Sequence, residues 1–296
     1  MRWNIDRKIK GAALSIREDR ALYAELLQDG GHCAVINGSE IPLPPGLVHN
    51  DHLVDGRALG SYLRRQLRFC WGKLPLAMGL PSSDFIFRTI KLATSDLDEA
   101  KSALRWCFSD FFPFKYEEAL FDVCKLPSGA PQGQILLLGT ACRKGELTAL
   151  LESLKSLRCR VSSAEPLCVA CARAFALEKE NDPLLLVVGQ DTLLHLIFFK
   201  QNAAWMFRTL DCSQRSAEEL NAEVDGTLRY IREHYGTSSP RLCQAGKLPD
   251  GAVGLPALDG AASRALCRAE KFRLDPPAAA GWYDVVGLLK RHIHED

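Results

Sequence analysis

Residues Asp182–Asp211, DPLLLVVGQDTLLHLIFFKQNAAWMFRTLD, decide how this chain is read. Three β-rich apolar runs, Leu184–Val188, Leu193–Phe199 and Ala203–Leu210, are separated by Gly189-Gln190-Asp191-Thr192 and by Lys200-Gln201-Asn202, so the stretch is a three-stranded meander with two tight turns. A helix follows at once. Ser216-Ala217-Glu218-Glu219 forms a capping box, and Ala217, Leu220, Val224, Leu228, Ile231 and Tyr235 then recur at steps of three and four. Gly236 and Pro240 end the helix, and RLCQAG (Arg241–Gly246) reads as the next strand.

The same order of meander, helix and strand occurs near the N-terminus. GAALSI, LYAELLQ and HCAVI within Gly11–Ile36 are three short strands, Gly56–Cys70 is a helix with Leu59, Leu63, Leu67 and Cys70 on one face, and Leu74–Leu80 is a buried strand. Between the two copies lie a strand at Phe85–Leu92, a helix opened by Asp96 and stopped before Pro113, strands at Tyr116–Lys125 and Gln134–Ala141, and a helix at Arg143–Leu157. A short strand at Arg158–Ser163 and a helix at Glu165–Leu177 complete this part. After Gly246 come a Gly/Pro/Ala-rich region (Leu248–Ala262), a short helix, a strand at Lys271–Leu274 and a terminal helix at about Ala279–His292. The expectation is a duplicated α/β fold of the ribonuclease H-like kind. Its first domain is 1–181, with a small subdomain inserted at about 76–139, and its second is 182–296.

With 296 residues, 47% of them apolar, the chain can bury one or two sizeable cores. Its net charge of +1 offers no global attraction to nucleic acid or to a membrane. The N-terminus lacks a signal-like apolar core, and the longest apolar stretch, Leu184–Phe199, is interrupted by polar residues, short of the roughly 18 clean residues of a membrane span. A soluble cytosolic protein is expected. Eleven scattered cysteines, an odd number, point to reduced thiols, and Cys168-Val169-Ala170-Cys171, the one CxxC, has no second half to complete a zinc site. His195 reads as a satisfied core histidine, and His292 and His294 as members of a polar tail. Pro81-Ser82-Ser83 lacks the glycines of a nucleophile elbow.

On the helix after Asp96, the core face is Leu97, Ala100, Leu104, Cys107, Phe108 and Phe111, and Trp106 falls on the opposite side beside Glu99, Ser102 and Asp110. Two readings of Trp106 stand: cover by a neighbouring element of the chain, or a partner surface.

Several phrases, in order, resemble the PilM-type actin-like proteins of type IV pilus assembly, including MshI-like members and the cytoplasmic part of GspL-type secretion proteins. They are LPPGLVHNDHLVDGRALGSYL (Leu43–Leu63), LAMGLPSSDFIFRTIKL (Leu76–Leu92), LDEAKSALRWCFSDFFPF (Leu97–Phe114), ILLLGTACRKGELTALLESLKSLRCRV (Ile135–Val161), LLLVVGQDTLLHLIFFKQNAAWMFRTL (Leu184–Leu210) and LNAEVDGTLRYIREHYG (Leu220–Gly236). The resemblance implies an actin-like two-domain fold. It also implies a cytosolic scaffold, peripheral on the inner membrane, that binds the short cytosolic N-terminal segment of a PilN-type single-pass membrane protein together with other pilus assembly components. Many such proteins hold ATP between their domains.

Such a site needs an acid at the end of the first strand of each half, for Mg²⁺, and small turn residues beside the phosphates. Against the family pattern, the first loop has Ser15 in place of the acid and Arg17 in the turn, and its glycine is absent. The second loop has Val187 in place of the acid, keeps Gly189, and continues with Gln190, Asp191 and Thr192, while the adenosine-side glycine pair is reduced to Ala245-Gly246. The expectation is no hydrolysis, weak or absent ATP binding and no metal. The plainer reading makes Gly189 and Gly246 hairpin glycines and Arg17 and Arg20 solvated turn charges. For the partner peptide, the resemblance together with position points to Phe85, Phe87, Trp106, Phe111 and Phe114. The rival reading is an ATP-binding or ATP-hydrolysing enzyme of the same fold, which would carry carboxylates where Ser15 and Val187 stand. A further alternative is the cytosolic domain of a GspL-type secretion protein.

Overall fold

The computed structural model describes residues 8–29, 32–67, 74–127, 132–155, 160–175, 183–246, 272–273 and 281–292. It divides into two compact units, the first of Met1–Ser82, Glu146–Leu177 and Leu258–Asp296, the second of Ser83–Gly145 and Glu178–Ala257.

In the first unit, strands β1 (Lys8–Ile16), β2 (Arg20–Asp29) and β3 (His32–Pro42) pair antiparallel as the expected meander. A short hairpin of β4 (Val48–His49) and β5 (His52–Leu53) precedes helix α1 (Gly56–Gln66), which the Asp55 carboxylate caps by accepting the Ala58 N–H at 2.8 Å. Strand β6 (Pro75–Leu80) then lies parallel to β1.

The chain leaves this unit through a 3-10 turn at Ser82–Asp84 and enters the second. There β7 (Ile86–Leu92), helix α2 (Leu97–Phe111), a 3-10 turn at Tyr116–Glu118, β8 (Ala119–Lys125) and β9 (Ile135–Arg143) build a three-stranded antiparallel sheet in the order β7-β9-β8. Returning to the first unit, α3 (Lys144–Lys155), β10 (Arg160–Pro166) and α4 (Leu167–Ala174) follow.

The second meander is β11 (Leu184–Gln190), β12 (Leu193–Lys200) and β13 (Ala203–Asp211), as expected. Its second turn is Gln201-Asn202, both with positive φ (52° and 60°), the primed hairpin turn whose twist matches the strands it joins. Helix α5 (Ala217–Tyr235) carries the expected capping box on Ser216 and Glu219 and ends on Gly236 at φ 62°, before β14 (Arg241–Gly246) pairs parallel to β11. Last come β15 (Phe272–Arg273), parallel to β3, and α6 (Tyr283–Lys290). The Gly/Pro/Ala-rich region and the short helix expected after Gly246 lie outside the described residues.

Two sheets therefore repeat one plan. The first is six-stranded, β10-β6-β1-β2-β3-β15; the second is four-stranded, β13-β12-β11-β14. On the first sheet, Ala13, Leu22, Ala24, Leu26 and Ala77 meet Ala170 of α4 and Val285, Leu288 and Leu289 of α6. The alternate residues Leu14, Ile16 and Met78 are equally buried, so the other face is covered too. In the second unit, Leu185, Val187, Leu194, Leu196 and Phe198 pack against Leu220, Val224 and Ile231 of α5, and Leu136 and Leu138 of β9 join that cluster.

The division differs in two ways from the expected one. The expected insertion begins at about residue 76 and so takes in β6, but this strand lies between β1 and β10 at the heart of the first sheet, because its run PLAMGL is apolar on both faces; the excursion begins after Ser82. The expected second domain runs to residue 296 and so takes in the C-terminal helix. That helix packs on α4, β1 and β6 instead, since a helix buried on nearly every side needs two covering layers.

Candidate functional site

The first loop is the β1–β2 turn. Ser15 is fully buried, and its hydroxyl donates to Oδ2 of Asp284, the second residue of α6. Arg17 closes the same carboxylate from the other side: Nε donates to Oδ2 at 3.2 Å and Nη2 to Oδ1 at 2.9 Å, while Nη2 also reaches the Gly281 carbonyl. The Val285 N–H adds a fourth donor at 2.9 Å. Burial by itself would push the Asp284 carboxyl up. The Arg17 charge and the hydrogen bonds from Arg17, Ser15 and Val285 outweigh it and hold the group below the usual carboxylate range.

The acid is thus ionised, neutralised and enclosed. Arg17, read above as a solvated turn charge, is 6% exposed and forms the cationic half of a buried pair. Arg20 does stay at the rim, with Asp19 at 2.9 Å and Glu40 at 3.5 Å. Glu18 accepts the Asn50 N–H at 3.3 Å. Sequence reasoning missed Asp284. Its signal was one acid inside an otherwise apolar helical run, Trp282-Tyr283-Asp284-Val285-Val286, since an acid there is tolerated only when paired.

The second loop gathers Gly189, Gln190, Asp191, Thr192 and Gly246 at one end of the four-stranded sheet. Gly189 and Gly246 are register partners. Gly246 has φ 78°, and a Cβ on it would stand 2.0 Å from the Gly189 carbonyl oxygen, so the close approach of β11 and β14 requires glycine there. Gln190 is buried with its Oε1 3.1 Å from His195 Nε2, and His195 Nδ1 lies 3.0 Å from Thr209 Oγ1. His195 is therefore the satisfied core histidine the alternation implied. Asp191 sits exposed at φ 54° in the turn, and the Thr192 carbonyl accepts the Cys212 N–H at 2.7 Å. Val187 is fully buried in the sheet. Ser15 and Arg17 belong to the first unit, and Gly189 to Thr192 and Gly246 to the second.

A nucleotide's metal would need carboxylate oxygens free to coordinate it. At the first loop the buried acid, Asp284 of α6, is saturated by Arg17, Ser15 and a backbone donor, and at the end of the second unit's first strand stands Val187, so these residues do not fit a Mg²⁺ scaffold. Among the described residues no group of three His, Cys, Asp or Glu side chains could hold a metal ion.

The five aromatics split into three environments. Residues of β7 alternate between two faces. Ile86, Ile90 and Leu92 join Ala100, Leu104 and Phe108 of α2 in the small core, and Phe111 and Phe114 pack there as well. Phe114 also lies under the Arg143 guanidinium at 5.5 Å. Phe87, on the opposite face, meets Phe207 of β13 with ring centroids 4.7 Å apart, and Thr89 beside it bonds the Tyr235 hydroxyl at 3.0 Å. Phe85 is half-buried just before β7, and Thr140, the register partner of Phe87, has a buried hydroxyl without a hydrogen-bond partner. Trp106 stands alone on the outer face of α2, 92% exposed, with no element of the described chain covering it. Phe85 and Phe87 stay neighbours at the start of β7; Trp106 is not with them.

The remaining chemistry-bearing residues are structural. Cys168 and Cys171 are fully buried in α4, and burial pushes the Cys168 thiol up to about 12 and Cys171 well above its ordinary value, so neither is a ready thiolate. His292 is no tail residue: it is buried against β1, with Nε2 3.0 Å from the Ala12 carbonyl oxygen. His294 lies outside the described residues. No helix among the described residues is long and apolar enough to cross a membrane.

No protein-family model matches the sequence, and no curated protein does. Solved structures do match. A chain of the "PilM-PilN type IV pilus biogenesis complex" superposes with a TM-score of 0.72 at 16% identity, covering 96% of this chain and 99% of that one. The cytoplasmic domain of EpsL, an inner-membrane component of the type II secretion system of Vibrio cholerae, follows at 0.52 and 14% identity, covering 95% and 93%. The chain therefore has the actin-like fold that its sequence resemblance to PilM-type proteins implied, over nearly its whole length.

Proposed function

We propose that this chain is a non-catalytic scaffold of a type IV or MSHA-like pilus inner-membrane assembly complex. It takes the cytosolic N-terminal peptide of a PilN-type membrane protein and reaches the membrane only through that partner. The observation that carries the non-catalytic half is the Arg17–Asp284 pair: the buried acid that meets the first loop is already neutralised inside the protein. The likeness to a chain of the PilM–PilN complex supports the partner class. The weaker likeness to EpsL keeps a secretion-system scaffold as the second reading.

Mg-ATP decides between scaffold and enzyme. A ligand at about 100 times its Kd stabilises a protein by about 2.7 kcal/mol. We expect no Mg²⁺-dependent rise in melting temperature up to millimolar ATP; a rise of several degrees would restore the ATP-binding reading.

For the peptide, the proposal narrows to Phe85 and Phe87. They offer half-buried aromatic surface at the start of β7, on the face of the small sheet turned away from α2. Phe111 and Phe114 serve the small core instead. Calorimetry with the PilN-type N-terminal peptide should show Phe87→Ala weakening affinity roughly tenfold with cooperative unfolding retained. Unchanged affinity in that variant would remove this surface from the proposal.

A further inference from the structure

Helix α1 carries its charge on one side. Leu59 and Leu63 face the core and are buried, whereas Arg57, Ser61, Arg64 and Arg65 are exposed and fall within one arc of about 100° around the helix. No acid occurs in the helix. The sequence holds five cations and no Asp or Glu from Gly56 to Lys73, so the rest of a chain of net charge +1 is negative. Charge of one sign is thus concentrated on one element rather than spread over the surface.

The arginines are not neutralised inside the protein. Among the described residues none of the three forms an ion pair; Arg65 rests 5.9 Å over the Tyr62 ring, and the Tyr62 hydroxyl donates to the Pro42 carbonyl at 2.7 Å. The acids around the helix are engaged or balanced. Asp55 accepts the Ala58 N–H, and a Glu146 carboxylate oxygen accepts the Gly56 N–H, both at 2.8 Å. Glu40, on the strand that ends at Pro42, pairs with Arg20 at 3.5 Å. Helix α3 carries Lys144 and Lys155 against Glu146 and Glu152, so it does not cancel the charge of α1.

The helix is also firmly seated. A Cβ on Gly56 would stand 2.0 Å from the Glu146 carbonyl oxygen, and one on Gly60 would stand 2.6 Å from Ser153 Cβ, so α1 lies tight against α3 and presents its arginines on a fixed frame. The charged arc has no apolar residue to receive a partner's anchor side chain, and protein interfaces centre on such anchors. With Leu59 and Leu63 buried in the core, the helix has no apolar face left to insert into a bilayer either. What remains is an open array of guanidinium groups, each a planar fork that matches phosphate oxygens.

We infer that α1 rests on the anionic headgroups of a bilayer, its arginines meeting lipid phosphates. Arg57 and Arg64 are two turns apart, so both reach the surface when the helix axis lies along it. A PilN-type partner brings the chain to the membrane, the one point on which this rests on the scaffold reading. Each basic residue near an anionic surface gains about fivefold in binding, up to about a hundredfold for three, which is too little for recruitment by itself but adds to an existing tether.

The test is co-sedimentation of the full chain with vesicles of phosphatidylcholine alone and of equal parts phosphatidylcholine and phosphatidylglycerol. At low salt the wild type should partition onto the anionic vesicles at least about tenfold more strongly than onto the neutral ones, and it should lose that preference at about 0.5 M salt. Arg57→Gln/Arg64→Gln/Arg65→Gln should remove the preference while leaving the melting temperature and the affinity for the PilN-type peptide unchanged, because glutamine is nearly as good a helix former as arginine. Lys91→Gln/Lys101→Gln/Lys115→Gln takes the same charge from exposed positions of the second unit and should retain it. Equal partitioning of the wild type onto both vesicles, or an anionic preference that survives the α1 substitutions, overturns the inference. So does tighter, α1-dependent binding of hexaglutamate or of a DNA duplex, which would make the occupant a protein segment or a nucleic acid. The vesicles carry no partner peptide, so failure of the PilN-type peptide to bind would remove the scaffold reading and leave the vesicle result standing.

Discussion

Asp284→Ala is expected to destabilise the first unit by about 3–5 kcal/mol, because it leaves the Arg17 guanidinium buried without its counter-charge. Urea unfolding of the wild type and the variant measures the difference. The pair is a poor source of net stability all the same, since both ions were desolvated to form it. The double replacement Arg17→Met/Asp284→Leu should therefore recover most of the loss. Ser15→Ala removes one donor of several and should cost about 1 kcal/mol. The pH dependence has a definite sign. The folded pKa of Asp284 lies below its unfolded value, about 3.9, so the stabilisation is complete above that pH and is lost as pH falls through the folded pKa. Asp284→Ala should accordingly flatten the acid limb of the stability curve, and an acid limb identical to wild type would contradict the assignment.

Gly287→Ala is expected to be about as damaging, at roughly 3 kcal/mol or more, for a reason independent of charge. A Cβ at Gly287 would stand 1.8 Å from the Ala170 carbonyl oxygen and 2.6 Å from its carbon, so α6 and α4 touch backbone to backbone at this point. No side chain can swing aside to make room, and α6 must lift from α4 and from β1. Gly226→Ala is the control. Gly226 lies within α5 with nothing within 4 Å of the added carbon, and there alanine should stabilise by about 0.5–1 kcal/mol through helix propensity. Equal melting temperatures for Gly287→Ala and wild type would mean that α6 is not seated as described.

Both meanders were legible because their information is local. The apolar runs end at turn residues, and Ser216 with Glu219 marks a helix start that the structure reproduces bond for bond. Unit membership was not legible, because it depends on contacts between residues far apart in sequence. Nothing local to PLAMGL reveals that β6 pairs with β1, and nothing local to Tyr283–Lys290 reveals that this helix covers the first sheet. The candidate site divides along the same line. Loss of the acid at Ser15 could be read from the loop by family resemblance, whereas the role of Arg17 required its partner 267 positions away. The placement of Trp106 on the outer helix face followed from periodicity, but its cover could not be judged without the neighbouring strands.

The backbone contact of α6 with α4 also sets an order of events during synthesis. The elements of the second unit, from β7 to β14, have all been translated before Tyr283 is made, whereas β1, β2 and β6 are made early and wait for the helix that covers them. The half begun first is the half finished last, and its nascent sheet presents Ala13, Leu22 and Leu26 to chaperones while all the intervening chain is translated.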